Sequence, residues 1–153
     1  MNTASPRYIK PKTAANFFNA AVGRLTRMGI SVYGSRVLYV RGRTSGEWRT
    51  TPVNPLTLAD GTRYLVAPRG NTQWVRNLRA TGYTGELHLG RRVEPFRATE
   101  VADDDKPAIL RGYLRLWKWE VGVFFDGADA KAPEERLREI APGYPIFRIE
   151  PAS

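Results

Sequence analysis

Two short segments concentrate the residue types that hold anions and planar rings. The first runs Arg41-Gly42-Arg43-Thr44-Ser45-Gly46-Glu47-Trp48-Arg49-Thr50-Thr51-Pro52. Two glycines bracket a tight connection between strands, flanked by arginines and hydroxyl residues. Successive backbone N–H groups in such a turn converge on one oxyanion, while Ser and Thr donate and Arg supplies bidentate charge, so the segment suits a phosphate. Its spacing is not that of the Walker-type phosphate loop and no helix follows it, which disfavours a nucleoside triphosphatase. The same pattern also describes an ordinary solvated hairpin turn. The second segment runs Ala67-Pro68-Arg69-Gly70-Asn71-Thr72-Gln73-Trp74-Val75-Arg76-Asn77-Leu78-Arg79. A strand ends in a glycine-containing loop and a helix begins with Trp74 in its first turn. That offers helix N–H donors and an indole plane to one ligand, with charge from Arg69, Arg76 and Arg79. The alternative is that Trp74 and Leu78, four residues apart, anchor the helix to the core while the arginines reach solvent.

Other chemistries are excluded by what is missing. With no cysteine, disulfides, thiolate metal sites and Cys nucleophiles are ruled out, and a single histidine, His88, rules out multi-histidine metal centres. His88 sits in Glu86-Leu87-His88-Leu89 and is expected to face solvent opposite the leucines, without a catalytic role. No catalytic residue and no metal site is expected. A third group, Tyr113, Trp117, Trp119, Phe124 and Phe125, has two readings. Tyr113 and Trp117 are spaced for one helix face and suit packing. Trp119, Phe124 and Phe125, near Gly122 and Gly127 beyond the regular helix, suit the wall of a flat apolar acceptor site.

The elements that must position these residues follow from pattern. The chain has 153 residues, 42% apolar and 25% charged, which is one globular domain's worth. Residues 1–12 read as an irregular lead-in and 13–153 as one domain. It opens with a helix over 13–28 that is capped by Thr13, carries a Phe18, Val22, Leu25 stripe and stops at Gly29. Strands are expected over 36–41, 48–58, 63–67, 85–89 and 92–101. Pro52 and Pro55 disturb the second, Asp60-Gly61 turns the chain into the third, and Gly90 joins the last pair. Helices are expected over 73–80, after Asp103-Asp104-Asp105 and Pro107, and over 133–140, with a closing strand over 145–149. Five or six short strands with helices at start, middle and end indicate an α+β fold, a small antiparallel barrel with packed helices.

The net charge of +9 is uneven. It divides as +5 over residues 1–35, +7 over 36–97 and −3 over 98–153, so an anionic partner belongs to the first two-thirds. Nucleic acid, membrane headgroups and a phosphorylated ligand all fit that sign, as does a plain solubility charge. The 13–28 helix carries Arg24 and Arg27 on its polar side, which suits either a membrane surface or packing on the core.

Taken in order, Gly-Arg-x-Ser-Gly-x-x-Arg-x-Thr-Pro (Gly42 to Pro52), Leu-Val-Ala-Pro-x-Gly (Leu65 to Gly70) and Trp-x-x-Asn-Leu (Trp74 to Leu78) resemble the deazaflavin-dependent nitroreductase and quinone reductase family. The resemblance extends from the N-terminal helix to at least Val101. It implies a split β-barrel, FMN-binding-like, that uses coenzyme F-420, an 8-hydroxy-5-deazaflavin, with FMN as the alternative. It implies Arg43, Thr44, Ser45, Gly46, Arg49, Thr51 and Pro52 at the coenzyme's phosphate end. Ala67, Pro68, Arg69, Gly70, Trp74, Arg76 and Asn77 are implied around its tricyclic ring. Thr44 stands where relatives commonly carry lysine. The Gly70 to Trp74 loop is shorter than in nitroimidazole-reducing members, and their tyrosine-rich C-terminal wall is replaced by Tyr113, Trp117, Trp119, Phe124 and Phe125.

The expectation is therefore an oxidoreductase that passes hydride from the reduced coenzyme to an electron-poor acceptor such as an enone, quinone or nitroaromatic. Such a transfer needs placement of the ring and a pocket more than it needs an acid–base pair. The alternatives are a non-catalytic carrier of the deazaflavin, of a flavin or of haem, and a nucleic-acid-binding small barrel. A nucleic-acid binder would expose aromatics among its arginines on one sheet face, whereas Trp48 and Trp74 adjoin glycine loops, so no nucleic-acid partner is expected. A monomer or dimer in the cytoplasm is expected, with peripheral membrane contact through the N-terminal helix left open.

Overall fold

The computed structural model describes residues 35–121, 125 and 128–152, and of 117–121 the backbone alone. The lead-in and the helix expected over 13–28 lie outside these residues. Seven strands form one antiparallel sheet: β1 (Arg36–Arg41), β2 (Trp48–Val53), β3 (Leu56–Thr57), β4 (Arg63–Val66), β5 (Thr84–Leu89), β6 (Arg92–Glu100) and β7 (Ile146–Pro151). Their order is β2-β1-β5-β6-β7-β4-β3. The expected second strand is thus two, because Asn54 and Pro55 interrupt it. Pro52 is accommodated within β2 because β2 is an edge strand with a single neighbour.

That order forces the shape. β2 and β3 are consecutive in the chain yet lie at opposite edges of the sheet. The two residues joining them span at most about 10 Å, so the sheet must curl until its edges nearly meet. It does so as a half-barrel, the split-barrel architecture expected from the sequence.

Among the described residues three helices complete the fold: α1 (Gln73–Ala80), α2 (Lys106–Val121) and α3 (Glu134–Ile140). Helix α1 lies against β1 and β2 on the inner face of the curl. There Val75 and Leu78 join Leu38, Val40, Leu65, Leu87, Phe96 and Phe147 in one core cluster. Helices α2 and α3 cover the outer face of β3, β4 and the start of β7 through a second cluster with Leu56, Val66, Ile109, Leu110, Leu137 and Ile146. Strands β4 and β7 are therefore buried on both sides, Leu65 opposite Phe147 on one and Val66 opposite Ile146 on the other. The expected acids ahead of α2 form a short 3-10 turn, Asp103–Asp105. Lys106 follows almost fully buried, bonded to Asp103 Oδ1 at 2.8 Å and to the carbonyl of Ala141 at 3.2 Å.

Helix α1 ends in a tight return to β5. Gly82 (φ +85°) and Tyr83 (φ +61°) are both left-handed, and the N–H of Tyr83 reaches back to the carbonyl of Leu78 at 3.0 Å. Gly85, two residues on, is pressed between strands. A Cβ there would lie 2.7 Å from the carbonyl oxygen of Tyr39 and 2.8 Å from Phe96 Cζ. Gly85→Ala is expected to cost about 1–3 kcal/mol by urea unfolding; an unchanged midpoint would mean the sheet yields there freely.

Candidate functional site

A groove of about 790 Å³ opens between the β1–β2 hairpin and the head of α1. The hairpin is closed by the N–H of Gly42 on the carbonyl of Glu47 (2.7 Å) and by the N–H of Gly46 on the carbonyl of Gly42 (2.9 Å). Gly46 takes φ +72°, the left-handed conformation that the turn requires. Within it Ser45 Oγ accepts the N–H of Glu47 at 3.1 Å and is approached by Arg49 Nη2 at 3.5 Å. A side chain at Gly42 would displace two others of the hairpin, because a Cβ would meet Ser45 Oγ at 2.8 Å and Arg49 Nε at 3.3 Å.

The other wall comes from the loop after β4. The N–H of Gly70 (φ +86°) bonds to the carbonyl of Ala67 at 3.1 Å, and the N–H of Thr72 to the carbonyl of Gly70 at 2.8 Å. Asn71 is gripped from the helix by Arg76 Nε on its carbonyl (3.1 Å) and by Arg79 Nη1 on its Oδ1 (3.2 Å). Arg79 also bonds Glu100 through Nε at 3.0 Å, and that hydrogen bond raises the pKa of Arg79 above its ordinary value. Trp74 packs on Phe147 (ring centroids 5.8 Å apart) and lines the groove.

Asn77 joins the walls. Its Oδ1 accepts two bonds from Arg43, one from the backbone N–H at 3.1 Å and one from Nη1 at 2.8 Å, across 34 residues of sequence. Asn77 is 4% exposed, so the accepting end of this link is buried while Arg43 reaches it from the exposed hairpin. The two segments singled out by composition are thus one site in space.

The chemistry of the groove is cationic and donor-rich. Arg43, Arg49 and Arg69 line it together with Thr44, Ser45, Thr51 and Thr72. Among the described residues no carboxylate pairs with Arg43 or Arg49, whereas arginines elsewhere do pair: Arg63 with Glu94, Arg79 with Glu100 and Arg138 with Glu134.

Over residues 12–129 the chain matches the model of the family described as F420H(2)-dependent quinone reductase. The chain belongs to this family. The quinone reductase family is one of oxidoreductases, and coenzyme F-420 is its cofactor. No curated protein sequence matches the chain. Similar solved structures include a protein of unknown function from Agrobacterium tumefaciens, 21% identical with TM-score 0.52, covering 97% of this chain and 60% of that one. The chain thus spans three-fifths of that protein's length. Another is described as a domain-swapped dimer, 16% identical with TM-score 0.54, covering 90% and 96%. A third is HutZ, the heme storage protein of Vibrio cholerae, 10% identical with TM-score 0.51, covering 79% and 83%. At these identities the likeness concerns the fold.

The groove suits the family's coenzyme by its own chemistry. The guanidiniums of Arg43 and Arg49, without a carboxylate partner among the described residues, line it together with threonine and serine hydroxyls, and the Trp74 ring supplies an apolar wall. Of the residues expected at the coenzyme, Arg43, Thr44, Ser45, Arg49, Thr51, Arg69, Trp74 and Asn77 line the groove. Gly46, Pro52, Ala67, Pro68, Gly70 and Arg76 do not. Gly46, Ala67, Gly70 and Arg76 shape the loops behind it, and Pro52 faces Val37 on the neighbouring strand. The residues assigned to the coenzyme left out Val40, Gly42, Trp48, Thr50, Thr72 and Gln73, which also line it, all but Val40 within the two segments. Thr72 was marked by its place just before the helix.

Three expectations are corrected. Tyr113 and Phe125 are 1% and 0% exposed and belong to the outer cluster, not to an acceptor wall. Phe125 stacks on Tyr144 at 4.3 Å between centroids and lies 6.2 Å from Tyr113, so its ring has no free face. Trp119 falls inside α2, not beyond it, and the side chains of Trp117 and Trp119 and all of Phe124 lie outside the described residues. His88 does lie opposite Leu87, but it is half-buried, stacked on Tyr39 at 3.6 Å with Nε2 2.9 Å from Glu86 Oε1. Among the described residues there is no cluster of metal-ligating side chains, and no helix is long and apolar enough to cross a membrane.

Asn77→Ala is expected to lower stability by about 1–3 kcal/mol and to speed hydrogen exchange at the Arg43 amide more than at Leu38. Equal protection of Arg43 in both proteins would show that the hairpin holds its position without Asn77.

Proposed function

We propose that this chain binds reduced coenzyme F-420 in the groove between the β1–β2 hairpin and α1 and passes hydride to an electron-poor organic acceptor such as a quinone, enone or nitroaromatic. The observation that carries the reading is the pair of guanidiniums, Arg43 and Arg49, held over the groove without a carboxylate partner among the described residues. The Asn77 bond supports it by fixing their wall against the ring-binding one. Family membership supplies the coenzyme.

In this reading Arg43, Ser45 and Arg49 bind the phosphate end, with Thr44 and Thr51 beside them. Gly42 lets Ser45 and Arg49 pack against the hairpin backbone. Trp74 offers its ring to the planar system, and the unsatisfied N–H groups at the head of α1 face the ring's oxygens. Arg69 adds charge at that end. The coenzyme itself supplies the hydride, so the side chains need only hold the partners in register and exclude water. A site without cysteine or paired acid and base can do this.

Titration of the protein into deazaflavin, followed by fluorescence quenching, tests the binding step, and absence of micromolar affinity would sink the reading. Consumption of the reduced coenzyme with menadione, cyclohexenone or a nitroaromatic then tests turnover. Binding without turnover on any of them would point to a carrier. Arg49→Ala is expected to weaken binding more than about tenfold, about 1.4 kcal/mol, and to flatten its salt dependence. An unchanged dissociation constant would remove Arg49 from the phosphate end.

A further inference from the structure

Arg79, in the last turn of α1, does not line the groove. Its guanidinium is held between two other elements. Nε and Nη2 bond the two carboxylate oxygens of Glu100, the last residue of β6, and Nη1 bonds Asn71 Oδ1 at 3.2 Å in the loop after β4. A fork of this kind fixes the plane of the guanidinium as well as its place. The same group lies 5.9 Å from the ring centroid of Phe147, the ring on which Trp74 packs at 5.8 Å. Asn71 stands between Arg69 and Thr72, and both of these line the groove. The bonds of Gly70 to Ala67 and of Thr72 to Gly70 shape this loop without anchoring it to the sheet. Its start is tied down by the N–H of Ala67 on the carbonyl of Pro145 at 2.9 Å, ahead of β7. Its end is tied through Asn71, by Arg76 on the carbonyl and Arg79 on the side-chain oxygen. A long arginine side chain loses rotamer freedom when it grips a loop, and the bonds to Glu100 hold Arg79 in the one arrangement that reaches Asn71. The two side chains of the ion pair are 36% and 32% exposed, so the pair adds little to stability and its effect is on placement.

We propose that Glu100 is a positioning residue for the coenzyme: through Arg79 it holds Asn71, and with it the loop from Arg69 to Thr72 that forms one wall of the groove. The inference rests on the reading of the groove given above. Neither Glu100 nor Arg79 lines the groove, so neither touches the ligand. The sign of the effect separates this role from a direct electrostatic one. A carboxylate repels an anion, so removing the charge of Glu100 would by Coulomb's law alone tighten the binding of a phosphate-bearing coenzyme. Acting through Arg79 and Asn71, the same change weakens it.

Glu100→Gln keeps the shape and leaves one acceptor oxygen for the two donors of Arg79. Asn71→Ala removes the other partner of Arg79 and keeps the carbonyl that Arg76 holds. With oxidised coenzyme F-420 in a fluorescence titration, each variant is expected to bind about 3–10-fold more weakly than wild type. The double variant is expected within about twofold of the weaker single one, because both changes cut one chain of contacts. In turnover with menadione, KM for the reduced coenzyme rises by the factor seen in the titration while kcat at saturating coenzyme is kept. Tm of Glu100→Gln is expected to fall by less than about 4 °C, and a larger fall would assign Glu100 to the stability of the fold and overturn the proposal. Unchanged or tighter binding by Glu100→Gln, losses that multiply in the double variant, or a kcat that falls at saturation would each overturn it and leave the groove's assignment standing. A wild-type protein that binds no coenzyme at micromolar concentration would overturn both.

Discussion

Two residues, Asn54 and Pro55, carry the chain from one edge of the sheet to the other. The link is too short to cross a flat seven-stranded sheet, whose edges would lie about 28 Å apart at the usual strand spacing. Curling is therefore a condition of connectivity, and the remaining architecture follows from it. A curled sheet has a concave face that must be filled and a convex face that must be covered. Helix α1 and the side chains of Leu38, Phe96 and Phe147 fill the first, and α2 and α3 cover part of the second. The groove lies where the filling stops, at the hairpin that ends β1 and begins β2.

Apolar packing alone would leave the hairpin hinged at its strands. Asn77 adds direction. One amide oxygen bound to both the backbone and the guanidinium of Arg43 fixes the loop's height and the side chain's orientation together. Each bond is modest in net energy, about 1 kcal/mol, but a buried amide that lost both would be left unsatisfied, and that asymmetry holds the arrangement. The hairpin's charge is legible in the same terms. Three of the four acids of residues 36–97 have engagements away from the groove: Glu94 with Arg63, Glu86 with His88 and Asp60 with the Thr62 amide. Three arginines of that segment, Arg43, Arg49 and Arg69, line the groove. A solubility charge needs neither a glycine that excludes a side chain nor a buried amide to position it.

Much of this was legible in the sequence because it is local. The limits of β1 and α1 follow from Arg36 to Arg41 and Gln73 to Ala80, where β-rich and helix-periodic runs end at glycine or turn residues. The hairpin and the helix head followed from glycine placement. The misses were failures of long-range information. Burial of Tyr113 was one of two readings, but Phe125 was expected in an acceptor wall, and its packing depended on Tyr144, delivered from the far end of the chain to stack on it. His88 alternates correctly with the leucines, yet its environment is made by Tyr39 on the adjacent strand.

The burial of Tyr113 and Phe125 moves the question of acceptor choice. The two core clusters lie on opposite faces of β4 and β7, so aromatic rings in the outer one are separated from the groove by the sheet itself. Enlarging or shrinking those rings acts on stability, because a packed interior transmits volume changes as strain and not as altered recognition. The groove's own apolar surface comes from Val40, Trp48 and Trp74, and Trp74 sits in the first turn of α1. The ring that an aromatic ligand would meet therefore stands on the helix that Asn77 and Arg43 tie to the arginine-bearing hairpin.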